Sequence, residues 1–353
     1  MSPRSIRIVP ELRAVHVGRH RDGKPAELLY LDTNYDLSGT ELAPGIRRTT
    51  LLGALGRFLT TDASTLEVPE PLWMRFWPEH VLLAVGFKLA GAVRGRRHRV
   101  VTYAMENNDL GILVGGRRAL PSWVVSAVGL LIGAVARLTL DRIRFATPAA
   151  CAAYARLPFI RSVEHSVGLE LPAPSAIPSA AEPGRCLFLG VLEARKGVEV
   201  LATAWETVEA CRPDASLSII GPGPEYARLR RWASERPASR RVLGRLPHHV
   251  ANEELGRASV LVAPSVPDGR WREQVGLPVK EALAAGLTVV TTDQTGLAPW
   301  LAEHGHRVVQ PGDPVLLADA LVAALDAPLS REVVRADLPE QDGRLVADAW
   351  LHA

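Results

Sequence analysis

Between Val260 and Val290 the chain reads strand, loop, short helix, strand. The apolar run Val260–Ala263 closes on Pro264-Ser265, and a second run, Leu287–Val290, follows Ala282-Leu283-Ala284-Ala285-Gly286. That is the repeating unit of a parallel α/β sheet. Pro278 suits a first helical position, where its missing N–H is an orphan anyway, so the helix is expected to begin just after Gly276. Its free N–H groups and positive dipole end then point into the loop, a place for an anion. Glu273 lies in that loop, and Glu281 is expected in the first turn with both carboxylates facing one crevice. A phosphate gripped by backbone N–H groups, with carboxylates beside it to accept hydroxyls, suits a nucleotide joined to a sugar. Two glutamates eight apart also occur at any solvated helix start, so the flanking pattern carries the reading.

That pattern is Pro-Ser-…-Glu-x-x-Gly-x-x-x-x-Glu-Ala-x-Ala-x-Gly-x-x-Val-Val, with Glu273 and Glu281 at Glu-x7-Glu spacing. It resembles the donor-site signature of the retaining glycosyltransferases of family four. The resemblance implies the α/β GT-B fold: two Rossmann-like parallel-sheet domains facing each other across a cleft. It also implies metal-independent transfer of a sugar from a nucleotide-diphosphate sugar to an acceptor hydroxyl, with no cofactor beyond that donor substrate. Glu273 would contact the hydroxyls of the transferred sugar, Glu281 the ribose, and the helix start at Gly276 and Leu277 the diphosphate.

Further elements carry the same resemblance. Gly190 to Gly197 is similar to the family's Gly-Arg-x4-Lys-Gly element, whose basic residues hold the diphosphate. Lys196-Gly197 match, but Val191 occupies the Arg position, which leaves Arg195 as the replacement cation or as a surface residue. Gly221-Pro222-Gly223-Pro224 resembles Val-Gly-x-Gly-Pro, and backbone around Gly244 to Leu246 is expected near the nucleobase. Thr291–Trp300 resembles a further donor-facing loop, with Trp300 where the family has Glu. In the first half, the strand Val100–Ala104 runs into Glu106 where the family places a His. Glu106 is the replacement, or else a loop carboxylate in water. The candidate catalytic residues are therefore Glu273, Lys196 and Glu106. The candidate donor-binding residues are Glu281, Gly276, Leu277, Arg195, Gly190, Leu246 and Gly221, and no metal ligands are expected. The resemblance covers the second half well and the first in outline.

A chain of 353 residues suits two domains. The Pro/Ala/Ser-rich stretch 171–184 reads as a linker between an acceptor-binding domain, 1–170, and a nucleotide-sugar-binding domain, 185–340. By resemblance, a last helix in 341–353 crosses back to the first. The polar loop Asn34–Thr40 with Ser38-Gly39 reads as a connecting turn, and Arg47–Leu59 as a helix. Residues 1–170 hold 22 Lys and Arg against 15 Asp and Glu, leaving 19 against 23 for the rest. A basic front half suits an anionic partner such as a membrane surface or a phosphorylated acceptor, and solubility explains it equally well. No nucleic-acid partner is expected.

Three cysteines without CxxC spacing and a start lacking an apolar core suggest a cytoplasmic protein, with peripheral contact to the inner face of the membrane as a further expectation. The uncharged run Trp123–Ala136 is shorter than the roughly 20 residues a span requires and reads as a buried helix or, second to that, an interface-lying one. The aromatic run Leu72–Trp77 is expected in the core, with an acceptor pocket or a membrane-touching wedge as the alternatives, and the arginines at 94, 96, 97 and 99 in a solvated turn. Two rivals remain open on the same architecture: an inactive binding or scaffold protein, and a nucleotide-sugar epimerase or hydrolase.

Overall fold

A computed structural model describes residues 4–34, 37, 42–116, 118–175 and 181–353. The chain divides into two compact units, Met1–Leu169 with Gly343–Ala353, and Glu170–Asp342. Among the described residues the first unit contains β1 (Ser5–Leu12), β2 (Glu27–Thr33), β3 (Ile46–Arg48), β4 (Thr65–Val68), β5 (Arg99–Ala104), β6 (Arg142–Phe145) and β7 (Glu164–Val167). They form one parallel sheet in the order β3-β2-β1-β4-β5-β6-β7. The second unit contains β8 (Arg185–Leu189), β9 (Ser216–Ile220), β10 (Arg240–Gly244), β11 (Val260–Ala263), β12 (Thr288–Thr292) and β13 (Arg307–Val309), in the order β10-β9-β8-β11-β12-β13. Both are Rossmann-like. The strand order reverses beside β1 and beside β8, and in such sheets ligands bind outside the strands' carboxyl ends at the reversal.

Each sheet is covered by helices. In the first unit, Phe58, Phe87 and Ile132 from three helices pack on Ile6, Leu66, Val100 and Ile143 of the strands. In the second, Leu201, Trp205 and Leu321 pack on Phe188, Ile219 and Val262.

Several expectations need correction. Arg47 and Arg48 belong to β3, and the helix begins at Leu51, where the Thr50 side chain accepts from Gly53 N–H. The helix Ser122–Thr139 buries one side: Gly129, Ile132, Gly133, Ala136 and Thr139. A Cβ at Gly133 would sit 2.0 Å from the Pro158 carbonyl oxygen, so glycine is what lets the helix dock there. Its other side faces solvent. In the aromatic run, Leu72 is buried, while Trp77 and Met74 are partly buried against the core. Arg94 and Arg96 form a turn paired with Asp62 at 3.5 and 2.7 Å. Ser38 and Gly39 lie outside the described residues, as do 176–180 of the expected linker. The flanks of that stretch are tied down, Ser175 N–H donating to Ala284 and Glu182 N–H to Arg257.

The helix Gly343–Leu351 belongs to the first unit, where Ala347 and Leu351 pack on Val101 and Tyr103. Its Asp348 is fully buried and accepts from Arg7 at 2.5 and 2.7 Å, from Arg19 at 2.6 Å and from Lys24 N–H at 2.6 Å. Glu67, on β4, pairs with Arg19 at 2.6 Å and Arg344 at 3.1 Å. Burial is the largest influence and would raise both carboxyls, but their partners together outweigh it, Arg19, His352 and Arg344 at Glu67 and Arg19 and Arg7 at Asp348, so both sit below their usual range. Ligand atoms of Glu67, Asp348 and His352 lie within 4.8 Å of one another, a spacing open to a metal ion. Three arginines already supply the positive charge there, and the cluster is a latch for the last helix.

Candidate functional site

The site in the second unit is assembled where β8 and β11 lie side by side. Past the end of β8 the chain makes a tight turn. Lys196 closes it, and Gly197 follows at φ 69° with its backbone against Pro264. A Cβ at Gly197 would lie 1.9 Å from the Pro264 carbonyl oxygen, so only glycine lets the two loops meet this closely. Past the end of β11, Ser265 and the loop through Glu273 lead to Gly276, which adopts φ 82° and precedes the helix Leu277–Ala285. Among the described residues no side-chain cap is seen at the helix's N-cap, Gly276. Its first N–H groups and positive dipole end are therefore available to an anion. Pro278 stands at the second helical position. Glu281 is the fifth residue, one position later than expected from the sequence and just past the first turn.

Lys196, Glu273 and Gly276 line one cavity of about 20 Å³, with Leu189, Ser265 and Thr291. The Lys196 ammonium is bonded to the Glu273 carboxylate, which also accepts from the Ser265 hydroxyl at 3.2 Å. Trp271 forms a wall for both cations: the Arg195 guanidinium lies 4.4 Å and the Lys196 ammonium 4.8 Å from its ring centre. Arg195 is further held by Glu193 at 2.5 Å, so it stands next to the cavity with one carboxylate already on it. The loop before the helix is fixed from the far side. Thr295 donates to the Val275 carbonyl at 2.9 Å, and Gly296 N–H to Gln274 at 2.9 Å.

Glu281 is not among the residues lining this cavity, and His248, which opens the helix after β10, is within electrostatic reach of it. Burial pushes the Glu281 carboxyl above the usual range, against the pull of His248. It has no hydrogen-bond partner among the described residues, although half-buried. Leu246, half-buried, lies past the end of β10. Gly190 is half-buried in its turn, and Gly221 is packed tightly against it. Their N–H groups donate to Ile220 and Gly244, and a Cβ at Gly221 would fall 1.8 Å from the Gly190 carbonyl. Leu277 is half-exposed at the helix mouth. Trp300, at the position of the family's Glu, is buried and stacks on His304 with ring centres 4.0 Å apart.

In the first unit, Glu106 follows β5 and is buried, its side chain accepting from the N–H groups of Asn107 and Asn108 at 3.0 and 2.9 Å. It is therefore no loop carboxylate in water. Its neighbour is Glu70, two residues past β4, which accepts from Met105 and Glu106 N–H at 3.0 Å each and from the Tyr154 hydroxyl at 2.8 Å. Burial, and then the charge of Glu106, raise the Glu70 carboxyl to about 8. Sequence reasoning missed Glu70, although the strand-end rule that found Glu106 applies equally to it. Nothing in the sequence singles out Trp271.

A pH effect follows. The folded value of Glu70 lies above the unfolded one near 4.5. Its contribution is thus complete below the unfolded value and is lost as pH rises toward 8. Thermal melts between pH 5 and 9 should show a declining alkaline limb that Glu70→Gln flattens; an unchanged limb in that variant would exclude Glu70 as its source.

Residues 183–327 match the family model described as glycosyl transferases group 1. Over 178 residues the chain is 35% identical to phosphatidyl-myo-inositol mannosyltransferase of Mycobacterium leprae, covering 48% of this chain and 46% of that protein. Over 144 residues it is 31% identical to a GDP-mannose-dependent monoacylated alpha-(1-6)-phosphatidylinositol monomannoside mannosyltransferase of Corynebacterium glutamicum, covering 40% and 38%. The matches thus span less than half the length of these curated relatives. Across the whole chain the fold is similar to Anabaena HepE in complex with UDP, with TM-score 0.64, 11% identity and coverage of 100% and 97%. It is also similar to WaaG, a glycosyltransferase involved in lipopolysaccharide biosynthesis, with TM-score 0.60, 14% identity and coverage of 98% and 99%. By fold the chain is a GT-B protein, and its second unit carries the sequence pattern of the glycosyl transferases group 1.

Proposed function

We propose that this protein is a retaining, metal-independent glycosyltransferase that moves a sugar from a nucleotide-diphosphate donor to an acceptor hydroxyl. The observation that carries the reading is the shared cavity of Lys196, Glu273 and the uncapped helix start at Gly276, placed where β8 meets β11. The donor diphosphate would take the Lys196 ammonium and the N–H groups of the helix mouth. Glu273, released from Lys196, would then accept from the sugar hydroxyls, and the unpartnered Glu281 from the ribose. As the acceptor oxygen bonds to the sugar's anomeric carbon, the bond to the diphosphate breaks on the same face and the diphosphate takes the acceptor's proton. Charge grows on the leaving diphosphate, where fixed positive groups lower the barrier most. The first unit, with Glu70 and Glu106 at its strand ends, is assigned the acceptor.

GDP-mannose is the first donor to test, because a relative 31% identical over 144 residues is named for it. A thermal-shift series with GDP, UDP, ADP and dTDP tests the site. At about 100 times its Kd a ligand that binds the native state adds about 2.7 kcal/mol, roughly 5–10 °C for a unit of this size. GDP is expected to give the largest shift. No shift with any of the four would overturn the reading and favour a second one, a GT-B binding protein without activity, for which Val191 in place of a basic residue and the Lys196–Glu273 pair speak. Donor consumption with no acceptor present would instead point to an epimerase or hydrolase.

A further inference from the structure

The first unit presents an apolar surface that the transferase reading does not use. The helices Trp77–Val93 and Ser122–Thr139 touch each other and pack on one core through Phe87 and Ile132, so both lie on the same face of the sheet. Their outer sides are apolar. On the first helix Leu82, Val85, Leu89 and Val93 recur at helical spacing and are exposed, Val93 at 81%. On the second, Trp123, Leu131 and Leu138 are exposed, Trp123 at 72% and Leu138 at 78%. Scattered exposed leucines are ordinary, but two adjoining helices with uncharged apolar stripes mark an interaction surface. The first helix alone makes that surface about 25 Å long.

Charge complementarity identifies the occupant. Both helices end in arginine: Arg94, Arg96 and Arg97 follow Val93, and Arg137 stands beside Leu138. Asp62 neutralises part of the first group through Arg94 and Arg96, and Lys88 is paired with Asp141 at 2.7 Å. Arg97 and Arg137 are exposed and have no ion pair among the described residues. Arg4 and Arg97 also border a groove with His98, whose buried Nε2 has no hydrogen-bond partner. An apolar face rimmed by cations, with a tryptophan at its other end, matches an anionic lipid surface. The helix Ser122–Thr139 is long and apolar enough to cross a membrane. The contact of Gly133 with Pro158 holds it to the unit, so it lies along the surface.

We propose that the outer face of these two helices docks on anionic lipid bilayers, the apolar stripes entering the headgroup boundary and Arg97 and Arg137 pairing with lipid phosphates. The proposal stands independently of the transferase reading. Co-sedimentation of the full chain with vesicles tests it, comparing phosphatidylcholine alone with an equimolar mixture of phosphatidylcholine and phosphatidylglycerol. Binding is expected to the mixed vesicles and to weaken with salt. The double variant Leu89→Glu, Leu131→Glu should reduce it at least roughly tenfold through lost apolar insertion, and Arg97→Glu, Arg137→Glu roughly tenfold through lost phosphate pairing. Melting temperature should not move in either, because all four side chains face solvent. Failure to sediment with the mixed vesicles at low salt would overturn the proposal, as would equal binding by the Leu→Glu variant. So would a concentration-dependent dimer that the Leu→Glu substitutions disperse while vesicles are ignored, since a second copy would then be the occupant.

Discussion

Sugar transfer by Lys196→Ala should fall roughly 10²-fold, the usual cost of removing one fixed group that meets charge developing in a transition state. The loss should appear mainly in kcat, because the diphosphate is more negative as it leaves than while it is bound. Glu281→Ala should lower transfer at least about tenfold, chiefly through KM, since a ribose contact is the same in ground and transition states. Initial rates measured with the donor identified by thermal shift separate the two patterns. Neither variant should lose its fold. Lys196 is partly exposed, and Glu281 has no hydrogen-bond partner to orphan among the described residues. Unchanged rates in both would end the assignment of this cavity as the donor site. A loss in Lys196→Ala with normal Glu281→Ala would keep the diphosphate site and move the ribose elsewhere.

The largest effect on stability is expected far from that cavity, at Asp348. Asp348→Ala removes one of the two carboxylates that balance Arg7, Arg19 and Arg344, leaving Glu67 alone against three buried cations. Breaking a buried pair in this way costs about 3–5 kcal/mol, enough to melt the first unit well before the second. Differential scanning calorimetry should therefore resolve two transitions in the variant, with the upper one still responsive to nucleotide; a single unshifted transition would show that the latch contributes little. The same network sets an acid limb. The folded values of Glu67 and Asp348 lie below their unfolded ones, so their contribution is complete above about pH 4–5 and is lost as pH falls through the folded values. Asp348→Asn should shrink this limb even where it retains the fold.

Local chemistry made the second unit legible. The runs Cys186–Gly190 and Val260–Ala263 are apolar enough to be buried strands, and glycines at 197, 221 and 276 mark turns whose backbone no other residue adopts cheaply. Those features act over a few residues, so the sequence by itself determined the class of fold, the uncapped helix after Gly276, and Lys196 and Glu273 as the groups around it. What it could not determine depends on partners remote in the chain. β1, beside which the first sheet reverses, did not read as a strand because Arg7 interrupts its apolar pattern. That charge is tolerable there because Glu67 and, 341 residues later in the chain, Asp348 are folded against it. Likewise a carboxylate at position 70 is an ordinary loop acid until Tyr154 and Glu106 close around it. The orientation of the helix Ser122–Thr139, one side docked and the other bare, was decided by a backbone contact between Gly133 and Pro158. Periodicity states that a segment is apolar; which of its sides meets protein is settled only when the neighbouring element arrives.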